Sequence, residues 1–363
     1  MLRVAFTIEQ CWHRIPGGTA VAAIELARAM GDGTDVKPVG VAAFHRRPAP
    51  SPYTPPIPVR HLPLPRLAMY EAWHRLRAPR VERATGPVDV VHATSIAIPP
   101  KSAPLVVTMH DLAFLHDPSH FTRRGVSFFR RGLAVAKREA DLLLCVSDAT
   151  RRDCVEAGFE PARLVTIPLG IDMAPAAPED VDRVVRRYGL SRPYLMWSGT
   201  IEPRKNLRRV VQAFRTLRSD LDLVLVGPRG WNEDVDELVG AARDRVRILG
   251  FVPRADLAPL YAGATVFCWP SLLEGFGFPV LEAMTQGTPV VTSKGTSTEE
   301  IGAGAAVLVD PRDAEEIAAG LKSVIEDAAL AARLREAGLE RAAEYTWART
   351  ARLTADAYAR VVR

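Results

Sequence analysis

Short apolar runs alternate with longer segments of helical period along most of this 363-residue chain. The runs LRVAFT, VKPVGVAAF, VDVVHAT, PLVVTMHD and DLLLCVS come first, with helical stretches at TAVAAIELARAM and at about 67–83, 122–140 and 148–158. Near-continuous apolar strands are buried on both faces, and strands separated by helices pair in parallel. The alternation lapses at 170–180, GIDMAPAAPED, which has no period and reads as a linker between domains. It resumes with YLMWSG, LDLVLVG, VRILG, TVFCWP, TPVVTS and AAVLVD, with helices expected at 205–218, 233–243, 254–262 and 279–286. Three more helices are expected at 313–326, 328–343 and 347–362. The fold class is α/β: two parallel-sheet domains in tandem, as a chain of this length allows. The eight prolines of 48–65 mark a surface connection.

Hydrophobic residues make up 48% and charged residues 25%, a balance that excludes a disordered chain. No apolar run approaches the ~20 residues of a membrane span. The N-terminus MLRVAFTIEQCWHRIPGG meets Glu9 after a short apolar stretch and reads as a first strand, not a leader. Cys11, Cys145, Cys154 and Cys268 have no C-x-x-C spacing, so zinc and dithiol chemistry lack support and a reducing cytoplasm is expected. Charge is uneven: residues 1–190 carry 25 Lys+Arg against 19 Asp+Glu, and residues 191–363 carry 22 against 23. A basic first half suits a lipid surface, a phosphorylated acceptor or nucleic acid, or is a solvated face of an Arg-rich chain. Within it, FTRRGVSFFRRGLAVAKREA sets Val126, Phe129, Leu133 and Ala136 on one face. Arg123, Arg124, Arg130, Arg131, Lys137 and Arg138 lie around the other sides. That is the pattern of a peripheral membrane helix, and equally of a helix packing inside its own domain.

In open parallel sheets, ligands bind beyond the carboxyl ends of the strands. Gly17 and Gly18 of PGGTA open a helix there, suited to close approach of an anion, or form a plain loop capped by Thr19. His110 of HDLAFLHDPSHF ends a strand, whereas His110, His116 and His120 have no spacing that one element would gather around a metal. In TIEPRKN, Arg204 and Lys205 are expected in a helix's first turn, where each cation opposes the dipole by about 0.3–1 kcal/mol. Charges kept at such a cost suit a diphosphate. In SLLEGFGFPVLEAM, Gly275 and Gly277 form a turn and Pro279 opens a helix. Glu282, expected in that helix's first turn, complements the dipole, but Glu274, expected at a strand end, has no such reason. Two carboxylates with two cations fit a ligand bearing hydroxyls and phosphates, such as a nucleotide sugar.

The segments GTIEPRKN, GFVPRADLAPLYAGATVF, EGFGFPVLEA, QGTPVVTS and AAVLVDP resemble the retaining glycosyltransferases of family four, which have the GT-B fold of two facing Rossmann-like domains. The resemblance covers nearly the whole chain and is strongest from 190 to 312. It implies domains at 1–172 and 173–347, with a last helix, 348–363, crossing back to the first. It implies that Glu282 holds the ribose hydroxyls, Glu274 lies by the donor sugar, and Arg204 and Lys205 bind the diphosphate. Gly17 and Gly18 would lie under the phosphates, with His110 and Ser147 near the donor sugar. Gly199, Val252, Gly275, Phe276, Gly277 and Phe278 would complete the donor site, and His110, Glu274, Arg204 and Lys205 the catalytic set. The implied reaction moves a hexose from a nucleotide sugar to a glycan, lipid-linked or small-molecule hydroxyl, without metal, cofactor or nucleic acid, in the cytoplasm or at the inner membrane face. TMHDLAFLHDPSHF resembles mannosyltransferases, which favours GDP-mannose over UDP-sugars as donor. The pairs Asp180/Asp182, Asp220/Asp222 and Asp234/Asp236 have metal-binding spacing but lie in helical or linker segments or before a strand, and are read as chance. Gly304 and Arg254 depart from the family pattern and leave base preference open. A nucleotide-sugar epimerase and a non-catalytic binding protein are the same-fold alternatives, separated by product formed without acceptor and by nucleotide release.

Overall fold

A computed structural model describes residues 1–14, 16–230 and 233–362, with Ala241 described by its backbone alone. The chain divides into two compact units, Met1–Asp172 with Tyr345–Arg363, and Met173–Glu344. The return to the first unit thus falls at Tyr345 rather than 348. The reason is local: Ile171 N–H donates to the Tyr345 carbonyl at 3.0 Å and Thr350 Oγ1 to that of Pro168 at 2.8 Å.

In the first unit the strands are β1 (Leu2–Thr7), β2 (Val36–Ala42), β3 (Val59–His61), β4 (Val90–Ala93), β5 (Leu105–Met109), β6 (Leu142–Cys145) and β7 (Leu164–Thr166). They pair in parallel in the order β3-β2-β1-β4-β5-β6-β7. The helices are α1 (Gly17–Gly33), α2 (Arg66–Glu71), α3 (Glu82–Thr85), α4 (Ala113–His116), α5 (Arg123–Glu139) and α6 (Asp148–Glu156). Ala5, Val91, Val107 and Leu143, from four neighbouring strands, are fully buried, each valine or leucine contributing roughly 1.5–3 kcal/mol.

The second unit has β8 (Tyr194–Ser198), β9 (Asp222–Val226), β10 (Val246–Gly250), β11 (Val266–Trp269), β12 (Val290–Ser293) and β13 (Val307–Val309), parallel in the order β10-β9-β8-β11-β12-β13. Its helices are α7 (Pro178–Arg187), α8 (Leu207–Thr216), α9 (Val235–Val239), α10 (Arg254–Ala262), α11 (Phe278–Thr285), α12 (Ser297–Gly302), α13 (Ala314–Glu326) and α14 (Ala328–Ala343). The last helix, α15 (Trp347–Val362), belongs to the first unit and packs on α1. Both sheets reverse direction of growth once, between β1 and β4 and between β8 and β11. Such a reversal opens a crevice at the carboxyl ends of the two strands.

Several expected elements differ. The helix expected at 67–83 breaks after α2 and a π-turn, because Arg77 takes φ +50° and Pro79 follows. Arg77 is held there by Glu139 and by the carbonyls of Ile98, at 3.0 Å, and Pro99, at 2.6 Å. The proline-rich 48–65 is not connection alone: it contributes β3 at the sheet edge. The linker read at 170–180 ends earlier, since Pro178 opens α7. The amphipathic helix, α5, turns its apolar residues inward. Leu133 and Ala136 are buried in the first unit's core, and Phe129 packs on Phe114 and Phe121. Its apolar face is therefore spent on packing. Among the described residues no helix is long and apolar enough to cross a membrane.

Candidate active site

The crevice of the second sheet is formed by the segments after β8 and β11, and these hold Arg204, Lys205 and Glu274. Arg204 and Lys205 are not in a helix's first turn, as expected. They lie in a 3-10 turn, Pro203–Lys205, and α8 starts only at Leu207, because Asn206 takes φ +60°. Asparagine tolerates this left-handed conformation, and its buried amide fixes it, donating to the carbonyls of Pro270 and Pro311, both at 2.7 Å. The turn is thereby clamped against the loop after β11. Leu272 N–H and Ser271 Oγ donate to the Arg204 carbonyl at 2.9 and 3.0 Å. Arg204 and Lys205 thus stand just before α8 rather than inside its first turn.

Glu274 is not at a strand end either. β11 stops at Trp269, and Glu274 lies in the following loop, pinned by Ser297 Oγ donating to its carbonyl at 2.8 Å. Its carboxylate meets Lys205 Nζ, and Arg204 Nη1 at 3.3 Å. Arg204 also donates to Glu202 at 2.8 Å and to the Leu273 carbonyl at 2.9 Å, and Lys205 Nζ stands 5.0 Å over the Trp269 ring. Side chains of Lys205 and Glu274 are only 13% and 8% exposed, so the pair is largely removed from water. Burial pushes the Glu274 carboxyl up, but Lys205 and Arg204 outweigh it and hold it below its ordinary value. Burial, then the charge of Arg204, lowers Lys205, against the raising influence of Glu274 and Glu202. Two cations and two carboxylates thus form a neutral cluster, an arrangement the sequence reading missed. Glu202 and Asn206 flank the charges in the same EPRKN segment, which is the signal that pointed to them.

Two glycines shape this crevice. Gly277, N-cap of α11, has φ +127°, and a Cβ on it would stand 3.0 Å from Thr298 Cγ2. Gly199, directly after β8, has φ +148°, and a Cβ there would be 2.6 Å from the Trp269 ring. Any side chain at Gly199 would push Trp269 from beneath Lys205. Phe276 is buried and packs edge-on to Phe278 at 5.3 Å.

Glu282 lies in the fifth position of α11, beyond the first turn, so the dipole does not account for it. It is half-buried and accepts a hydrogen bond from Tyr261 Oη at 3.0 Å, which in turn meets Ser198 Oγ at 2.5 Å. Burial raises its pKa, against the lowering effects of the Tyr261 bond and the charge of Arg254. Arg254 opens α10, two residues after the buried Val252.

In the first unit Gly17 and Gly18 are the first residues of α1. His110 directly follows β5, and its Nε2–H donates to the Thr94 carbonyl at 3.0 Å. That bond leaves Nδ1 as an acceptor, and burial lowers the ring's pKa and keeps it neutral. Ser147 caps α6, accepting from Thr150 N–H at 3.0 Å, and Thr150 Oγ1 donates to the His110 carbonyl at 3.3 Å. Ser147 and His110 are therefore linked through Thr150. The other histidines of that segment pair elsewhere, His116 with Asp153 at 2.9 Å and His120 with Asp117 at 3.3 Å. The acidic pairs are engaged too: Asp180 meets Arg183 at 2.7 Å, and Asp234 caps α9. Asp222 is the first residue of β9 rather than preceding it, and accepts from Arg247 at 3.1 Å.

Comparison with known proteins places the chain in a family. Residues 181–341 match the family described as glycosyl transferases group 1, and residues 16–175 match glycosyltransferase family 4. The chain is 35% identical over 280 residues to the O-antigen chain mannosyltransferase B of Escherichia coli, covering 74% of each chain. It is 29% identical over 362 residues to the phosphatidyl-myo-inositol mannosyltransferase of Mycolicibacterium smegmatis, 92% of this chain and 87% of that one. The crystal structure of Anabaena HepE in complex with UDP and glucose superposes with a TM-score of 0.79 at 20% identity, over 99% of this chain and 100% of that one, and so shares its fold. With two Rossmann-like parallel-sheet units, family matches in both, and a related mannosyltransferase at 35% identity, the chain belongs to the family 4 glycosyltransferases of GT-B fold and is a glycosyltransferase.

Proposed function

We propose that this enzyme transfers mannose from GDP-mannose to the hydroxyl of a carbohydrate or lipid-linked acceptor, with retention of configuration and without a metal. The observation that carries the reading is the Arg204–Lys205–Glu274 cluster in the crevice of the second sheet. Its two cations suit a diphosphate leaving group, and its carboxylate suits sugar hydroxyls. Glu282, hydrogen-bonded by Tyr261, takes the ribose hydroxyls. The names of the relatives, both mannosyltransferases, support mannose as the sugar.

The family resemblance and the commitments of the carboxylates support retention. Inversion needs a base opposite the leaving group to take the acceptor's proton. With donor bound, Glu274 is committed to the sugar hydroxyls and Glu282 to the ribose. Asp111 Oδ1 accepts the Ala113 amide at 3.0 Å, which turns that oxygen toward its own loop. His110 is held neutral with a lowered pKa, which makes it a poor base. The departing phosphate oxygen then takes the acceptor proton while the C1–O bond to phosphate breaks and the C1–O bond to the acceptor forms on the same face. Arg204 and Lys205 neutralise the charge growing on that phosphate. A donor panel of GDP-mannose, UDP-glucose and UDP-N-acetylglucosamine, read by nucleotide release with and without EDTA, tests the reading. Release from GDP-mannose that survives EDTA is expected, and strict dependence on added manganese refutes it.

A further inference from the structure

The first unit holds a cavity of about 390 Å³ that the donor site does not use. Its walls come from α2, the first turns of α5 and the segment after β1. Leu67, Tyr70 and Phe128 supply an apolar wall, and Arg14, Arg66 and Arg124 supply charge. Tyr70 and Phe128 pack together with ring centroids 5.5 Å apart, and Phe128 stacks on His74 at 4.5 Å, so the wall is rigid. Leu67 is 53% exposed, an apolar surface left in contact with water.

The charges are unbalanced. Among the described residues Glu71 is the one carboxylate lining the cavity, and it is committed to Arg75 and Arg131, both at 2.8 Å. Among the described residues Arg14, Arg66 and Arg124 have no ion pair or hydrogen bond. Burial, and then the nearby charge of Arg66, oppose protonation of the His13 ring. Arg123 and Arg124 occupy the first turn of α5 with no acidic residue beside them, against the helix dipole. Three uncompensated guanidiniums beside an aromatic wall fit one ligand chemistry: an anion joined to a group with an apolar face, as in a glycosyl phosphate. The cavity lies by the carboxyl end of β1, the sheet edge at which β5 places His110.

Resting on the transferase reading above, we propose that this cavity recognises the acceptor, and that the acceptor is a glycosyl phosphate whose anion is held by Arg14, Arg66 and Arg124 and whose sugar ring lies on Tyr70 and Phe128. The arginines would then set acceptor choice while leaving donor binding alone.

The test is equilibrium binding by calorimetry to the full chain, without donor, so that it does not depend on turnover. The probes are mannose 1-phosphate, octyl α-mannopyranosyl phosphate and octyl α-mannopyranoside. Both phosphates are expected to bind at least tenfold more tightly than the neutral octyl glycoside. A further gain from the octyl chain marks a lipid-linked acceptor, and equal affinity of the two phosphates marks a soluble one. R14A and R124A, both at exposed positions, should each reduce phosphate-probe affinity about tenfold, leave the octyl mannoside unchanged, and leave GDP affinity unchanged. Equal binding of all three probes to the wild type, or equal losses for charged and neutral probes in the variants, overturns the proposal. Failure of nucleotide release from the donor panel, with these probes still discriminated, would instead remove the transferase assignment of donor and leave the anion pocket standing.

Discussion

Replacing Glu274 by glutamine tests the neutral cluster directly, because stability and ligand affinity should move in opposite directions. Breaking a buried ion pair by removing one charge costs about 3–5 kcal/mol in fully buried cases. Here the loss is partly made up. Arg204 keeps Glu202 at 2.8 Å and the Leu273 carbonyl at 2.9 Å, and Lys205 keeps the Trp269 ring at 5.0 Å. A cation–π contact contributes about 0.5–2 kcal/mol, which brings the expected destabilisation to about 2 kcal/mol. For a unit of this size, that lowers the melting temperature by about 4–8 °C. The effect should depend on pH with a definite sign. Glu274 has a folded pKa below its ordinary 4.5, so its contribution is present above 4.5 and is lost as pH falls through the depressed folded value. The gap between wild type and E274Q should close on acidification. Affinity for GDP should rise, by about tenfold, because two cations formerly neutralised now face the diphosphate. Turnover should fall. Calorimetric melting from pH 3 to 8 and titration with GDP and UDP decide it. Unchanged melting at pH 7, or weaker binding of both nucleotides, refutes the cluster as a charge-balanced pair.

Further outcomes are expected. Glu282 has a folded pKa raised above 4.5, so its ionisation costs stability as pH rises through that value. E282Q should melt no lower than wild type at pH 7 yet bind donor roughly ten- to hundred-fold more weakly, since a charged hydrogen-bond acceptor is lost at about 1.5–3 kcal/mol. K205A should lower turnover by about 10²–10³, by analogy with removing an oxyanion donor, and EDTA should add nothing to that loss when nucleotide release is followed. The first unit should be acid-labile. His74 and His92, 7% and 0% exposed, are pushed by burial from 6.5 to about 4 and about 3. Their neutral forms stabilise the fold above 6.5, and each should lose about 2 kcal/mol of that between pH 7 and 5. H92N, read by the same melting curves, should flatten this dependence.

The sheets were legible because buried parallel strands are apolar runs, and runs such as LLLC or VVTS have no other place to go. Elements depending on single backbone angles were not. Arg77 reads as a helix former, and the partners that hold it in its helix-ending conformation, Glu139 and the carbonyls of Ile98 and Pro99, are all distant in sequence. β3 was hidden by prolines, since local composition says nothing of the edge pairing that Gly40 N–H makes with the Pro58 carbonyl at 2.9 Å. Periodicity exposed the two faces of α5 but could not name what lay against the apolar one. Leu133 lies in the unit's own core and Phe129 packs against it, which gives these two residues a role inside the fold.

At the site, the legible part was residue type and the illegible part was pairing. EPRKN and the spaced glutamates announced charge beside a crevice, and the strand order puts both segments at the reversal between β8 and β11. Sequence reasoning then assigned each charge to a separate piece of ligand. It placed Arg204 and Lys205 inside a helix's first turn, whereas Asn206 ends their turn before α8 begins. The cost they carry is desolvation: four charged groups are brought out of water, and mutual neutralisation is what makes that tolerable. The same neutralisation has a consequence for binding. On the proposed donor reading, a diphosphate competes with Glu274 for Lys205 and Arg204, and the carboxylate turns toward sugar hydroxyls as the phosphates arrive. Donor binding and the freeing of Glu274 are thus one exchange of partners, and the opposite signs expected for stability and nucleotide affinity in E274Q are its measurable mark.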